Sequence, residues 1–464
     1  MTEDVSTTNW IAWDRVMIGN DSSRLSSAVF VLLCIIPAFA TIVFGAVDLA
    51  TWVIIAVIWA AMIIIWLIDG WRGHGFLLNT DPIQVPLIGW ILIGTVQLIP
   101  VFGSGSVLSL EPYATRLFVG RLVIYAVFFC ACLTFVNSEA RIRRAVWFIV
   151  IFAAALAFFS VLQKLANPAG IYGLRRSAQA ITFGPFVNQH HFAGFMAMTA
   201  GPAFALLMGA DLKQDRRILL AFSVVIMGVA AVMTSSRGGL IAFISSLCFV
   251  GLATFAYSRK EKGGFLGMRP ARLLAIGAGI AALLMIIFGS VLLLGGNDAL
   301  FRGVGVDANK AGEVSSGRFH FWPVAIQIFL SHPLLGTGFD AFGVAFTKFD
   351  SWPGKIRVEQ AHNEYLQTLA DAGIAGLLCL VAFIVMLFRN GAKVIASAGE
   401  GFRRTAAIGA LAGCFGILVH SFFDFPLRTY SNSFFFLLLA AIAVVTVQSE
   451  YKQQRRRRSI SNGS

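Results

Sequence analysis

The residues best suited to chemistry are three that stand far apart in the chain: Arg237, Arg318 and His362. An arginine side chain is a planar fork that matches phosphate oxygens and never loses its charge. Arg237 and Arg318, with Arg175 or Arg176, could therefore clamp a diphosphate. An imidazole can take a proton from a sugar hydroxyl near neutral pH, which arginine and lysine cannot, so His362 is the candidate base. Each has a plainer reading: Arg237 as a cation reaching out of a helix end, Arg318 as an ordinary loop arginine, His362 as a core histidine bonded to a carbonyl.

The surroundings of these residues are distinctive. Arg237 lies in Thr234-Ser235-Ser236-Arg237-Gly238-Gly239, where paired glycines let backbone come close to a ligand or a neighbouring helix. Arg318 follows Ser315-Ser316-Gly317, and His362 opens His362-Asn363-Glu364-Tyr365-Leu366-Gln367. Between them stands His332-Pro333-Leu334-Leu335-Gly336-Thr337-Gly338. The adjacent His190 and His191 diverge by about 100° on a helix, so at least one is expected to serve packing. Asp424 and Arg428 read as a simple ion pair. Asp-x-Asp, His-Glu-x-x-His and Cys-x-x-Cys are all missing, as are phosphate-loop and Rossmann glycine patterns. No metal and no cofactor is therefore expected, and a glycosyl donor would have to arrive on a lipid.

The elements that position these residues belong to a membrane protein. Apolar residues make up 58% of the 464, and mean hydropathy is +0.79, more than a water-soluble core requires. The net charge of +13 is scattered over short loops and a basic tail rather than gathered on one polar face, which points to lipid headgroups and not to nucleic acid. All six cysteines fall in apolar runs and suit packing. Apolar runs near 28–47, 50–69, 84–102, 117–136, 145–163, 190–210, 218–234, 239–257, 273–295, 373–388, 405–421 and 432–449 predict an all-α protein with twelve transmembrane helices. The first reads as an uncleaved signal anchor.

With the N-terminus cytoplasmic, Lys and Arg concentrate in the inside short loops, so both ends are predicted inside and the long loop outside. The predicted organisation is a cytoplasmic segment 1–27, helices one to nine over 28–295, a catalytic loop 296–371, helices ten to twelve over 372–449 and a basic cytoplasmic tail 450–464. Within the loop, 318–331 predicts a helix resting on the membrane surface, broken at Pro333, Gly336 and Gly338. A second helix is predicted from Glu359 to Asp371, with a joint near Gly373, His362 on its packing face and Asn363 beside it. A second outside loop, Lys164–Gln189, carries Arg175 and Arg176 and could roof the same site. A transporter or flippase is the alternative, although the short link between helices six and seven and the late outer loop suit it poorly.

The motifs around Arg237, Arg318, His332 and His362, with Asn188-Gln189-His190-His191-Phe192-Ala193-Gly194 and Asp424-Phe425-Pro426, resemble the O-antigen ligase and polymerase superfamily from about Asn188 to Asn432. The resemblance implies a fold related to membrane-embedded GT-C-like glycosyltransferases, in the bacterial inner membrane with the active site periplasmic. It implies transfer of a glycan from undecaprenyl diphosphate to a hydroxyl of an acceptor glycan or glycolipid, in lipopolysaccharide or exopolysaccharide synthesis, with polysaccharide-export machinery as a further partner. Arg237 and Arg318 would bind the diphosphate leaving group and His362 would activate or position the acceptor. Asn188, His191, Asn363, Tyr365, Asp424 and Arg428 would support them. Asp371 stands where the family pattern would have Glu, which puts an acidic catalytic role there in doubt.

Overall fold

The computed structural model describes residues 23–73, 75–100, 107–166, 170–177, 180–209, 212–261, 277–291, 293, 317–351, 357–399 and 401–447. The segment 1–22, the head of the long loop with Ser315 and Ser316, and the basic tail lie outside the described residues. In chain order the helices are α1 Arg24–Ile42, α2 Leu49–Arg72, α3 Val85–Gln97, α4 Pro112–Phe135, α5 Glu139–Ala166, α6 Gln189–Gly209, α7 Gln214–Met233, α8 Arg237–Glu261, α9 Gly277–Val291, α10 Arg318–Ser331, α11 Phe342–Phe349, α12 Glu364–Ser397, α13 Phe402–His420 and α14 Tyr430–Val444. Among the described residues nine helices are long and apolar enough to cross a bilayer, and α3, α9 and α14 are shorter apolar ones. The protein is an all-α polytopic membrane protein.

Each of the twelve apolar runs contains a helix, and α3 and α14 are shorter than the runs at 84–102 and 432–449 suggest, while the ends of the run at 273–295 lie outside the described residues. The α14 helix is enclosed by the rest of the bundle. Every residue from Ser431 to Val444 is buried, so the helix is walled by protein on all sides and is apolar all round.

The core is built on backbone contact between α6 and α13. A Cβ added at Gly201 would lie 2.6 Å from the Gly413 nitrogen, and one at Gly409 would lie 2.7 Å from Pro202 Cα. Small residues are what let helices approach this closely where lipid supplies no hydrophobic drive between them.

Helices alternate in direction, so their ends gather at two faces. At one face Ser23 Oγ donates to Asp69 Oδ1 at 2.6 Å, and Arg141 Nη2 donates to Ser26 Oγ at 2.7 Å. Arg72, Arg143, Arg144, Lys213, Arg216, Arg217, Arg403 and Arg404 lie at or beside helix ends on this side. The other face carries the starts of α4, α6, α8, α12 and α14, the ends of α3, α7 and α13, and the helices α10 and α11.

The loop helix forms over Arg318–Ser331 as expected, and the chain turns at Pro333 to Gly338. That turn docks on a break in α12. Gly373 has φ 63° and ψ −161°, a conformation open essentially to glycine alone. The backbone groups freed there are taken up by the turn: Ile374 N–H donates to the Pro333 carbonyl at 2.8 Å, while Thr337 and Gly338 N–H donate to the Ala370 and Asp371 carbonyls at 3.0 Å each. Gln97, fully buried at the end of α3, closes the joint. Its amide donates to the Leu335 and Asp371 carbonyls and accepts from Phe339 N–H. A kinked helix at membrane depth persists when its loosened polar groups are satisfied in this way. The predicted loop boundary at Asp371 therefore falls inside α12, which begins at Glu364.

Candidate functional site

His362 does not lie on a helix. Asn363 is the N-cap of α12, its Oδ1 accepting from Tyr365 N–H at 3.0 Å and Leu366 N–H at 3.1 Å, so His362 stands just outside with φ 51°. The expected place of His362 on the packing face of a helix from Glu359 is therefore corrected: the Asn363 cap starts the helix after the histidine. Left-handed backbone on a non-glycine residue costs about 1–3 kcal/mol and persists where neighbours over-determine it. Here Gln367 Oε1 accepts from Ala361 N–H at 2.6 Å, Glu364 N–H donates to the Ser421 carbonyl at 2.9 Å, and the Tyr365 hydroxyl donates to the Leu418 carbonyl at 2.8 Å.

This strapping sets His362 against Asp424. His362 Nδ1 lies 3.0 Å from Asp424 Oδ1; the carboxylate is 1% exposed and the imidazole 32%. Burial acts to raise the Asp424 pKa, but the His362 hydrogen bond and the nearby His191 and His190 outweigh it, so the carboxyl is held well below its usual range. An ionised carboxylate only accepts, so Nδ1 carries the proton and Nε2 is left as the open, basic nitrogen. Phe321 lies over one face of the imidazole, 6.0 Å between centroids at 25°, and Phe425 meets it edgewise at 5.0 Å. Asp424 and Arg428 thus do not pair with each other as expected.

Both arginines reach the same place. The Arg318 Nε–H donates to the Phe423 carbonyl at 3.0 Å, next door to Asp424. Burial lowers the Arg318 pKa, Asp424 opposes this and the charge on Arg237 adds to it; two guanidiniums therefore stand close enough to repel. Arg237 opens α8, after Ser235 in a left-handed conformation at φ 58°. Arg237 itself is exposed, and the paired glycines seat the start of α8 closely against its neighbours. A Cβ at Gly238 would lie 2.7 Å from Phe423 Cβ, and one at Gly239 would lie 2.3 Å from Ala193 Cβ.

Histidines from α6 and α13 complete the ring. Asn188 Oδ1 accepts from His190 N–H at 2.8 Å and so caps α6, while His190 Nδ1 meets Ser236 Oγ at 2.9 Å. His191 is buried against Thr429 Oγ1, the packing role expected for one of the pair. His420 is 1% exposed, with Gly194 and Gly238 fitted against its ring.

Arg428 instead organises a second cluster. Its Nη2 donates to Asp371 Oδ2 at 2.7 Å, its Nε to Glu364 Oε1 at 3.2 Å and its Nη1 to Asp340 Oδ1 at 3.2 Å. Burial would lower its pKa, but the three carboxylates raise it, so it is locked as a cation. Asp371 is structural here, fully buried and also bonded by Gln367.

Arg175 and Arg176 do not join the arginine pair. The Arg175 guanidinium is taken up by Asp48 and lies over Phe44, at the turn between α1 and α2, and Arg176 is exposed. The described part of that loop lies against α1 and α5, with the Tyr172 hydroxyl donating to the Ile42 carbonyl at 2.7 Å. The sequence reading missed Asp424 as the partner of His362, the roles of Glu364, Asp340 and Phe321, and the place of His190 and His420. Only the recurrence of histidine at helix ends on one face hinted at the last two.

Residues 222–381 match the family model described as O-antigen ligase, a span that contains Arg237, Arg318 and His362 and stops short of Asp424 and Arg428. The chain is also 24% identical over 275 residues to an O-antigen ligase of Pseudomonas aeruginosa, a match that covers 58% of this chain and 56% of that protein, so it spans about half the relative's length. Over these spans the chain is similar to O-antigen ligases.

Proposed function

We propose that the protein transfers a glycan from a polyprenyl diphosphate, in bacteria undecaprenyl diphosphate, to an acceptor hydroxyl at the outer face of the inner membrane. The observation that carries this reading is the pair of mutually repelling arginines, Arg237 and Arg318, beside a histidine whose outer nitrogen is free to act as base and whose inner nitrogen is held by Asp424. Such a pair is suited to a polyanion, and the O-antigen ligase relative supports a lipid-linked glycan as donor.

In the proposed reaction the acceptor oxygen attacks the anomeric carbon as the bond from that carbon to the diphosphate oxygen breaks, with inversion. The hydroxyl proton passes to His362 Nε2. Asp424 holds the ring in the useful tautomer and stabilises the imidazolium that forms. Arg237 and Arg318 take the charge that grows on the departing diphosphate, an effect for which losing one preorganised contact typically costs about 10²–10³ in rate. The basic connections on the opposite face then lie in the cytoplasm, as does the N-terminal end of α1.

The test is the size profile of lipopolysaccharide and of exported polysaccharide from cells lacking the gene and from cells carrying Arg237→Ala or Arg237→Lys. Bare acceptor with long lipid-linked chains accumulating indicates a ligase, and single repeat units on the acceptor indicate a polymerase. Lysine keeps the charge and loses the fork, so it is also impaired. Normal profiles from all three strains, with no second enzyme present, overturn the transferase reading.

A further inference from the structure

A cavity of about 310 Å³ adjoins the His362 centre, at the small end of the range for ligand sites. Phe425 separates the two. Its ring touches His362 at 5.0 Å and His191 at 4.8 Å, and both Phe425 and His191 line the cavity. The lower walls are apolar side chains of α3, α4, α12 and α14, and the upper end is polar.

The polar end has a definite sign. Asp340, Glu364 and Asp371 surround Arg428, and Arg121 adds a second cation 3.6 Å from Asp340. Carboxylates therefore exceed guanidiniums among the described residues here. Both cations are committed, Arg428 to three carboxylates, Arg121 to Asp340 and to the face of Tyr430 at 4.7 Å. A diphosphate entering this end would meet fixed negative charge with no uncommitted cation to offset it.

Several buried polar atoms on the lining stand without a hydrogen-bond partner among the described residues, His191 Nε2 and two acceptors among them. Glu364, 8% exposed, uses Oε1 on Arg428, and its Oε2 has no hydrogen-bond partner among the described residues. Gln360 Oε1, also on the cavity lining, is likewise buried without one. Buried acceptors without donors cost about 1–3 kcal/mol each, and hydroxyl groups supply what they lack. Trp90 offers an aromatic wall of the kind on which the C–H side of a sugar ring rests, while Phe118 is already stacked on Phe339 and Tyr430 carries Arg121 over its face.

We propose that this cavity is the acceptor-sugar subsite: a neutral pyranose lies against Trp90, donates hydroxyls to Glu364 and Gln360, and turns the reacting hydroxyl past Phe425 toward His362. The assignment rests on the proposed transfer reaction and deepens it, by giving donor and acceptor sites of opposite electrostatic sign on either side of one histidine.

The experiment is saturation-transfer NMR on the full-length protein in nanodiscs, with the methyl glycosides of glucose, galactose and N-acetylglucosamine as separate probes and geranyl diphosphate as donor mimic. At least one glycoside binds, persists when geranyl diphosphate is added, and persists in Arg237→Ala. Its affinity falls about tenfold in Glu364→Gln, the size of one lost charge-assisted hydrogen bond. It also falls in Leu87→Trp, which fills the cavity from the membrane side and touches none of the polar groups; thermal unfolding shows that both variants are folded. Absence of binding by every glycoside, displacement by geranyl diphosphate, or indifference to both cavity variants overturns the assignment. Survival of geranyl diphosphate binding in Arg237→Ala overturns the donor reading instead, whatever the glycosides do.

Discussion

Replacing Asp424 by Asn isolates what the carboxylate does for His362. The side chains are nearly the same size, and the position is 1% exposed, so the fold has little reason to change. At the 3.0 Å separation of His362 Nδ1 and Asp424 Oδ1, a full imidazolium–carboxylate pair is worth about 5 kcal/mol at an effective dielectric constant of about 20. The imidazole is 32% exposed and only part of its charge has developed when the acceptor oxygen attacks, so roughly half of that applies. The loss of ~2–3 kcal/mol lowers kcat by about 10²-fold, and an Asn amide that donates toward Nδ1 would force the wrong tautomer and deepen it. The same exchange in a serine–histidine–aspartate triad costs about 10⁴. The assay is glycan transfer by purified protein in nanodiscs, with donor concentration varied at saturating acceptor. Donor KM stays within about twofold while kcat falls; a variant that keeps kcat within about threefold of wild type refutes the dyad.

Arg428→Ala leaves Asp340, Glu364 and Asp371 buried or half-buried without their shared cation, and breaking a buried pair from one side costs about 3–5 kcal/mol. Thermal unfolding in detergent shows the loss, and an unchanged midpoint excludes a structural role for the cluster. Gly373→Ala places a Cβ 2.4 Å from the Leu334 carbonyl carbon in a backbone region closed to alanine, so it destabilises by more than about 2 kcal/mol or abolishes insertion, read as monodisperse yield. The depressed Asp424 pKa contributes stability that is complete above the ordinary carboxylate value of about 4 and is lost as pH falls below it toward the folded value. The gap in unfolding temperature between wild type and Asp424→Asn therefore narrows from pH 6 to pH 3, and a gap that widens refutes the sign.

Much of the frame was legible because it depends on local pattern. Among the described residues the apolar runs located nine helices of membrane-spanning length and three shorter apolar ones, the aromatic-rich run after Gly317 located α10, and Gly373 marked the joint in α12. What was not legible depends on partners far along the chain. Nothing near His362 says that its carboxylate stands at Asp424, and nothing near Arg428 says that its partners are Asp340, Glu364 and Asp371; proximity of Asp424 and Arg428 in sequence suggested the wrong pair. The backbone at His362 was misjudged for a local reason. Glu359 to Asp371 is helix-compatible in composition, but the Asn363 side chain competes for the first free N–H groups and begins the helix at Glu364.

The joint at Gly373 also decides which part of the chain each functional residue moves with. His362 and Arg318 belong to the segment above the break, which Phe423, Asp424 and Ser421 already tie to the end of α13, whereas Arg237 belongs to the bundle through α8 and its contact with α6. A ligand gripped by both arginines is therefore a staple across that seam. Thermodynamic linkage makes the effect reciprocal: by whatever factor the staple tightens the seating of the α10–α11 segment, a change that seats the segment better tightens the ligand. If the proposed donor is held by both arginines, substitutions at the Pro333–Gly338 turn are expected to change its affinity.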